Sequence, residues 1–300
     1  MEARCRLCGS VDELQESHVL PKFVFKWLKD TSGTGYLRLG REPNKRVQDG
    51  YKRPWLCSNC EGLLNQWETL FANAVFHPIN ASSSARVRYG PWLLKFCISV
   101  SWRVLSTAKE DGGLNHFSDT QRDAADRALK AWSDFLFDKL PHPGVFEQHL
   151  LPLDAIQSYE GGDLPANINR YLLRTVDMDT VCNDRTAFVF SKVGRFVIVG
   201  FIDLREPRTW SGTKVHVREG VIEPRSYSLP AKFAEYLIGQ ARRFAEIHKK
   251  ISPRQREKID ENMERNLEQL ADSESFAAMD HDVRLFGTAA FDIHRADDEC

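Results

Sequence analysis

The chain has no long hydrophobic run. Its longest apolar stretch, Phe196 to Ile202, spans seven of 300 residues, whereas a helix crossing a bilayer needs about 20. No membrane span is therefore expected. The opening residues Met1 to Cys8 hold no apolar core of the kind a secretory signal requires, so the cytoplasm is the expected compartment. Neither charge sign is in excess: 41 Lys+Arg face 42 Asp+Glu, for a formal net charge of −1. That balance excludes a uniformly basic coat for nucleic acid. An internal repeat, a phosphate-binding glycine loop and a G-x-S-x-G elbow are all missing. Repeat arrays, P-loop nucleotide hydrolases and elbow-type serine hydrolases drop out with them.

What is present suits a soluble globular chain with room for two domains, at 42% hydrophobic and 28% charged residues. The charge is unevenly spread. Residues 1–60 hold eleven Lys/Arg against seven Asp/Glu, while residues 251–300 hold six against thirteen. A basic head and an acidic tail point to different partners.

Cysteine carries the most specific signal. Of the seven, at 5, 8, 57, 60, 97, 182 and 300, four form two C-x-x-C pairs, Cys5–Cys8 and Cys57–Cys60, separated by 48 residues. Disulfides are disfavoured in the cytosol, so paired C-x-x-C motifs read as metal ligands. Two intervening residues let one tight turn present both sulfurs to one ion, and Gly9 after Cys8 tolerates the positive φ of such a turn. Four thiolates make a closed tetrahedral site that suits structural zinc. Cys97 falls in an apolar helical pattern and is expected in the core.

Between the pairs stands Ser17-His18-Val19-Leu20-Pro21, followed by a short helix opened by Pro21 and an extended basic stretch from Tyr36 to Arg53. The second pair leads into a helix whose Leu64, Trp67, Leu70 and Phe71 recur at helical spacing. Nine Lys and Arg between Lys22 and Arg53 alternate with Phe23, Phe25, Trp27 and Tyr36, a composition suited to salt-sensitive phosphate contacts.

This arrangement resembles the four-cysteine branch of the HNH, or ββα-metal, nuclease superfamily, over residues 1–75. The resemblance implies that Cys5, Cys8, Cys57 and Cys60 hold structural Zn2+ and that His18 is the general base deprotonating water for attack on a phosphodiester of DNA. A catalytic Mg2+ or Mn2+ would neutralise the developing charge, with Glu61 after the last cysteine as its best oxygen ligand and Glu16 or Asp49 as weaker ones. Such units joined to further domains occur in bacterial defence and mobile-element systems. The sequence departs from the family pattern at Ser17, where an acidic residue or His usually precedes the base, and it has no clear middle asparagine. Two readings follow: a metal-dependent DNA endonuclease, or a catalytically silent module that docks nucleic acid or protein. Glu61, Asn65 and Glu68 share one helical face, either as a metal-facing cluster or as a solvated surface.

The expected fold class is α+β, with an HNH-like zinc domain at 1–80 and a larger α+β domain at 81–300 whose role includes a possible protein partner or oligomer contact. Residues 78–90 read as a linker. Helices are expected at 92–105, 118–140 with a Ser118–Gln121 capping box, 230–249 and 253–270. Strands are expected at 171–176, 187–193 with 195–203 turning at Gly194, and 215–222. His281 and His294 read as surface residues.

Overall fold

The computed structural model describes residues 2–160, 163–223 and 227–292, so His294 and Cys300 lie outside the described residues. The fold mixes helices with small antiparallel sheets. It divides into two compact units, each assembled from separated stretches of chain. The first takes Met1–Phe23, Gly50–Pro152 and Val176–Leu229; the second takes Val24–Asp49, Leu153–Thr175 and Pro230–Cys300. No helix among the described residues is long and apolar enough to cross a membrane.

The first unit begins with a three-stranded sheet in which Val11–His18 lies between Glu2–Arg4 and Lys52–Cys57, antiparallel to both. The strand Lys52–Cys57 runs straight into the helix Ser58–Phe71, which continues as a π-helical segment, Ala72–Phe76, and a short helix, His77–Ala81. Leu64, Trp67 and Phe71 are buried as their spacing predicts, whereas Leu70 is exposed. The long helix Trp92–Glu110 is buried along most of its length, Cys97 included. Its ring contacts tie the layers together: Phe71 stacks on Phe96 at 4.0 Å between centroids, and Phe196 meets Phe71 edge-on at 5.4 Å. Ser118 caps the helix Asp119–Leu136 through a complete capping box with Gln121.

A four-stranded antiparallel sheet completes this unit, in the order Gln148–Pro152, Phe196–Leu204, Thr186–Val193, Val176–Cys182. The expected hairpin is its centre, with Gly194 at φ +62° in the turn. Gly200 lets a helix approach closely, since a Cβ there would stand 2.5 Å from Ser101 Oγ. Three expectations need correction here. The stretch 78–90 is not a linker, because it holds the end of a helix and the strand Val87–Tyr89. That strand pairs with Gly220–Ile222, to which the expected strand at 215–222 contracts. The helix expected to reach 140 stops at Leu136.

In the second unit the helix Lys22–Asp30 contributes Val24 onward, and the stretch from Tyr36 forms a two-stranded ribbon, Leu37–Leu39 with Glu42–Val47. The strand expected at 171–176 is instead the helix Ile168–Arg174, with Ile168, Tyr171 and Leu172 buried at helical spacing. Its start is held by Asp282, whose carboxylate accepts from the Asn169 backbone N–H at 2.7 Å and from Arg170 Nε at 2.7 Å. Burial pushes the Asp282 carboxyl above its ordinary range even with Arg170 beside it. The helix Ala231–Lys249 follows the expected pattern, whereas the charged helix is two, Pro253–Arg265 and Leu267–Ala271, broken at Asn266. His281 is half-buried.

Candidate metal centre

The first cysteine pair occupies the turn between two strands. Gly9 N–H donates to Cys5 O at 2.9 Å and Cys5 N–H to Ser10 O at 2.7 Å, closing a knuckle in which Gly9 takes φ +79°. That conformation suits glycine and strains other residues. The second pair starts a helix: Cys57 is the N-cap of Ser58–Phe71, and Cys60 lies in its first turn. Sheet register brings the two together. Leu14 pairs with Cys57 across the ladder, and Arg6 N–H donates to Trp55 O at 2.9 Å.

The result is a four-sulfur cluster whose ligand atoms all lie within 4.8 Å of one another. Cys8 Sγ and Cys57 Sγ are 3.8 Å apart. Four sulfurs about 2.3 Å from one ion at tetrahedral angles must stand roughly 3.8 Å from each other, so the spacing fits zinc. A disulfide needs about 2.05 Å, and these cysteines are free. Cys5, Cys57 and Cys60 are buried while Cys8 is exposed. Cys57 N–H also donates to Cys5 Sγ at 3.4 Å, tying the second knuckle to the first. Partial desolvation pushes the Cys8 thiol up, but hydrogen bonds with Ser10, Cys5 and Cys60 together outweigh it and bring it down to about 6. Burial pushes the Cys60 thiol far above its ordinary value, with the other three sulfurs adding to the shift. A divalent cation would compensate the negative charge of four thiolates held this close together. The group can hold a structural zinc.

His18 occupies the other end of the same ladder, paired with Lys52. It is four residues along its strand from the Leu14–Cys57 pair, about 13 Å at 3.3 Å per residue. The imidazole is half-buried, Ser17 before it is 2% exposed, and Glu16 points to solvent. The His18 carbonyl accepts from Arg103 Nη1 at 2.9 Å. Glu61 is half-buried in the first turn of its helix, where a carboxylate complements the exposed N–H groups. Asn65, on the same face, is exposed, and Glu68 forms an ion pair with Arg103 Nη2 at 2.7 Å, outside hydrogen-bond geometry. Among the described residues, the four cysteines are the only group of three or more potential metal ligands brought together, and neither His18 nor Glu61 belongs to it.

A groove of about 590 Å³ lies against the first knuckle, lined by Arg4, Cys5, Arg6, Arg53 and Trp55. Arg6 and Arg53 each meet Glu110, at 2.6 and 3.2 Å, and Arg53 also pairs with Asp111. The pairing of Arg103 with Glu68 is not expected from the sequence. An arginine in the apolar helix Trp92–Glu110 was the signal, because a buried guanidinium demands a carboxylate.

No family model, curated protein or solved structure matches this chain.

Proposed function

We propose that the chain is a zinc-organised DNA endonuclease of the HNH type, hydrolysing phosphodiester bonds with His18 as general base. One observation carries this reading. His18 ends a strand laddered to Lys52–Cys57, which itself runs into the cysteine knuckle and its helix, and Arg103 fixes the His18 carbonyl. A base must keep a fixed position and remain in reach of water, and a half-buried imidazole on an anchored strand end meets both needs. In hydrolysis His18 takes a proton from water as its oxygen bonds to phosphorus, and the bond to the leaving oxygen breaks. A bound Mg2+ or Mn2+ supplies charge neutralisation on the phosphate and leaving oxygen. Glu61 is the carboxylate this reading offers such a cation. Zinc at the cysteines holds the strands and helix in register and takes no part in the chemistry.

A second reading, a silent docking module, is favoured by Glu68, whose carboxylate is already paired with the Arg103 guanidinium. Plasmid nicking by wild type and His18→Ala, with magnesium, manganese or EDTA, separates the two. The endonuclease reading expects divalent-dependent nicking that His18→Ala removes while zinc content stays at one per chain. Equal nicking by both proteins refutes the role of His18. DNA binding without nicking in any metal establishes the docking module.

A further inference from the structure

The second unit joins two basic segments that the sequence keeps two hundred residues apart. The ribbon region 36–47 carries four Lys/Arg against one Glu, and 248–258 carries five against one. Asn44 fastens them. Its Nδ2 donates to Lys250 O at 3.1 Å, and its Oδ1 accepts from the Ser252 backbone N–H at 2.8 Å. Arg38 adds a bond from Nη2 to Gln255 Oε1 at 3.0 Å, and at the ribbon's turn a Cβ on Gly40 would stand 3.1 Å from Ile247 Cδ1. The ribbon is thus pinned to the end of the helix Ala231–Lys249 and the start of Pro253–Arg265. Arg41, Lys45, Arg46, Lys250, Arg254 and Lys258 are left exposed around that junction.

The placement sets like charges against each other within the ribbon. Arg38 and Arg46 are directly opposed across the ladder, where like charges repel. Arg46 lies 4.2 Å and Arg38 5.4 Å from the centroid of the Tyr36 ring, which holds both cations side by side. The ribbon's own carboxylate, Glu42, reaches Lys45 only at 3.5 Å in open solvent, an ion pair worth little. A concentration of cations held side by side over one ring and preorganised by the Asn44 clamp is complementary to a dense array of negative charge.

We infer that this junction is a binding surface for the phosphate backbone of duplex DNA, with the two-stranded ribbon and the segment 249–258 contacting phosphates together. Its cations act as a set, and no base-edge recognition is assigned to them. The surface does not depend on His18 or on cleavage.

The test is fluorescence anisotropy of a labelled 30-base-pair duplex with the full chain, without added divalent ion, across a salt series. Arg41→Ala/Lys45→Ala/Arg46→Ala should weaken binding at least tenfold and make the log–log salt slope shallower by about 2–3, near 0.9 for each phosphate no longer neutralised. Lys250→Ala/Arg254→Ala/Lys258→Ala should do the same from the other segment, guarding against a ribbon that merely unfolds. Arg127→Ala/Lys130→Ala, exposed in the first unit, should leave both affinity and slope unchanged. Unchanged affinity in both triple variants overturns the proposal, even if the protein nicks DNA. Equal weakening in the Arg127/Lys130 control overturns it too, because the effect is then only net charge. Equally tight binding to phosphatidylserine vesicles that both triple variants lose assigns the surface to membranes and also overturns it. Binding that follows the expected pattern without any nicking upholds the surface while the endonuclease reading fails.

Discussion

Replacing Glu68 with Gln tests the charge arrangement beneath the candidate site. The Arg103 side chain is 4% exposed and that of Glu68 is 12% exposed, at 2.7 Å. Removing one partner of a buried ion pair leaves the other charge uncompensated, at a cost of about 3–5 kcal/mol. Arg103 keeps two bonds after the change, from Nη1 to His18 O at 2.9 Å and from Nε to Ser99 O at 3.2 Å. The lower end, about 3 kcal/mol, is therefore expected, equivalent to a fall of roughly 6–12 °C in Tm for a unit of this size. Arg103→Met should cost a similar amount, because it strands the carboxylate and releases the His18 carbonyl. The double variant Glu68→Gln/Arg103→Met should cost clearly less than the two singles combined, since no charge remains buried. Urea unfolding followed by circular dichroism gives each midpoint, and an unchanged m-value shows that stability alone has moved. A cost below about 1 kcal/mol for Glu68→Gln, or strict additivity, refutes the reasoning.

Elemental analysis should find one zinc per chain, and Cys57→Ser should lose it with cooperative structure in the first sheet, because a small metal unit folds with its ion; full retention of both would refute the ligand set. Gly200→Ala should destabilise by about 1–3 kcal/mol through overpacking, since the new methyl meets Ser101 Oγ at 2.5 Å and Cβ at 2.7 Å; an unchanged denaturation midpoint would refute that close approach. His149 is buried with Nδ1 2.7 Å from Thr213 Oγ1, and burial outweighs Glu147 to lower its pKa from 6.5. The folded state thus binds fewer protons than the unfolded state just below pH 6.5, and stability falls as pH drops through that range. His149→Phe should flatten this part of the profile, measured as urea midpoints between pH 7.5 and 5.5, and an unaltered slope would refute the assignment.

What the sequence disclosed depended on whether the signal was local. Two C-x-x-C pairs, a capping box at Ser118 and a hairpin around Gly194 are each specified within a few residues, and all three are present. The helix Ile168–Arg174 is not legible in the sequence because a short apolar run fits either period. Its deciding partner, Asp282, is more than a hundred residues away. The same holds for Val87–Tyr89, whose polar surroundings read as a connector until Gly220–Ile222 supplies the pairing. At the candidate site the cysteines were legible because metal geometry dictates their spacing. The anchoring of His18 through Arg103, and the meeting of Asn44 with Lys250 and Ser252, were not. Both are made by side chains reaching backbone atoms on other elements, which no periodicity records.

The interleaving of the two units also has a dimension in time. The chain passes between them at residues 23, 49, 152, 175 and 229, and the last contribution to the second unit begins at Pro230. At a synthesis rate of about 5–20 residues per second, segment 24–49 waits roughly 10–40 s for the helix Ala231–Lys249 to be made. During that interval the four cysteines that can hold zinc, complete by residue 60, can already come together. A zinc ion bound there would act as an early clasp, holding an unfinished segment as a tethered loop until its partners emerge. A newborn chain deprived of zinc would present that segment, with Trp27 and its basic neighbours, to chaperones and proteases for the whole delay.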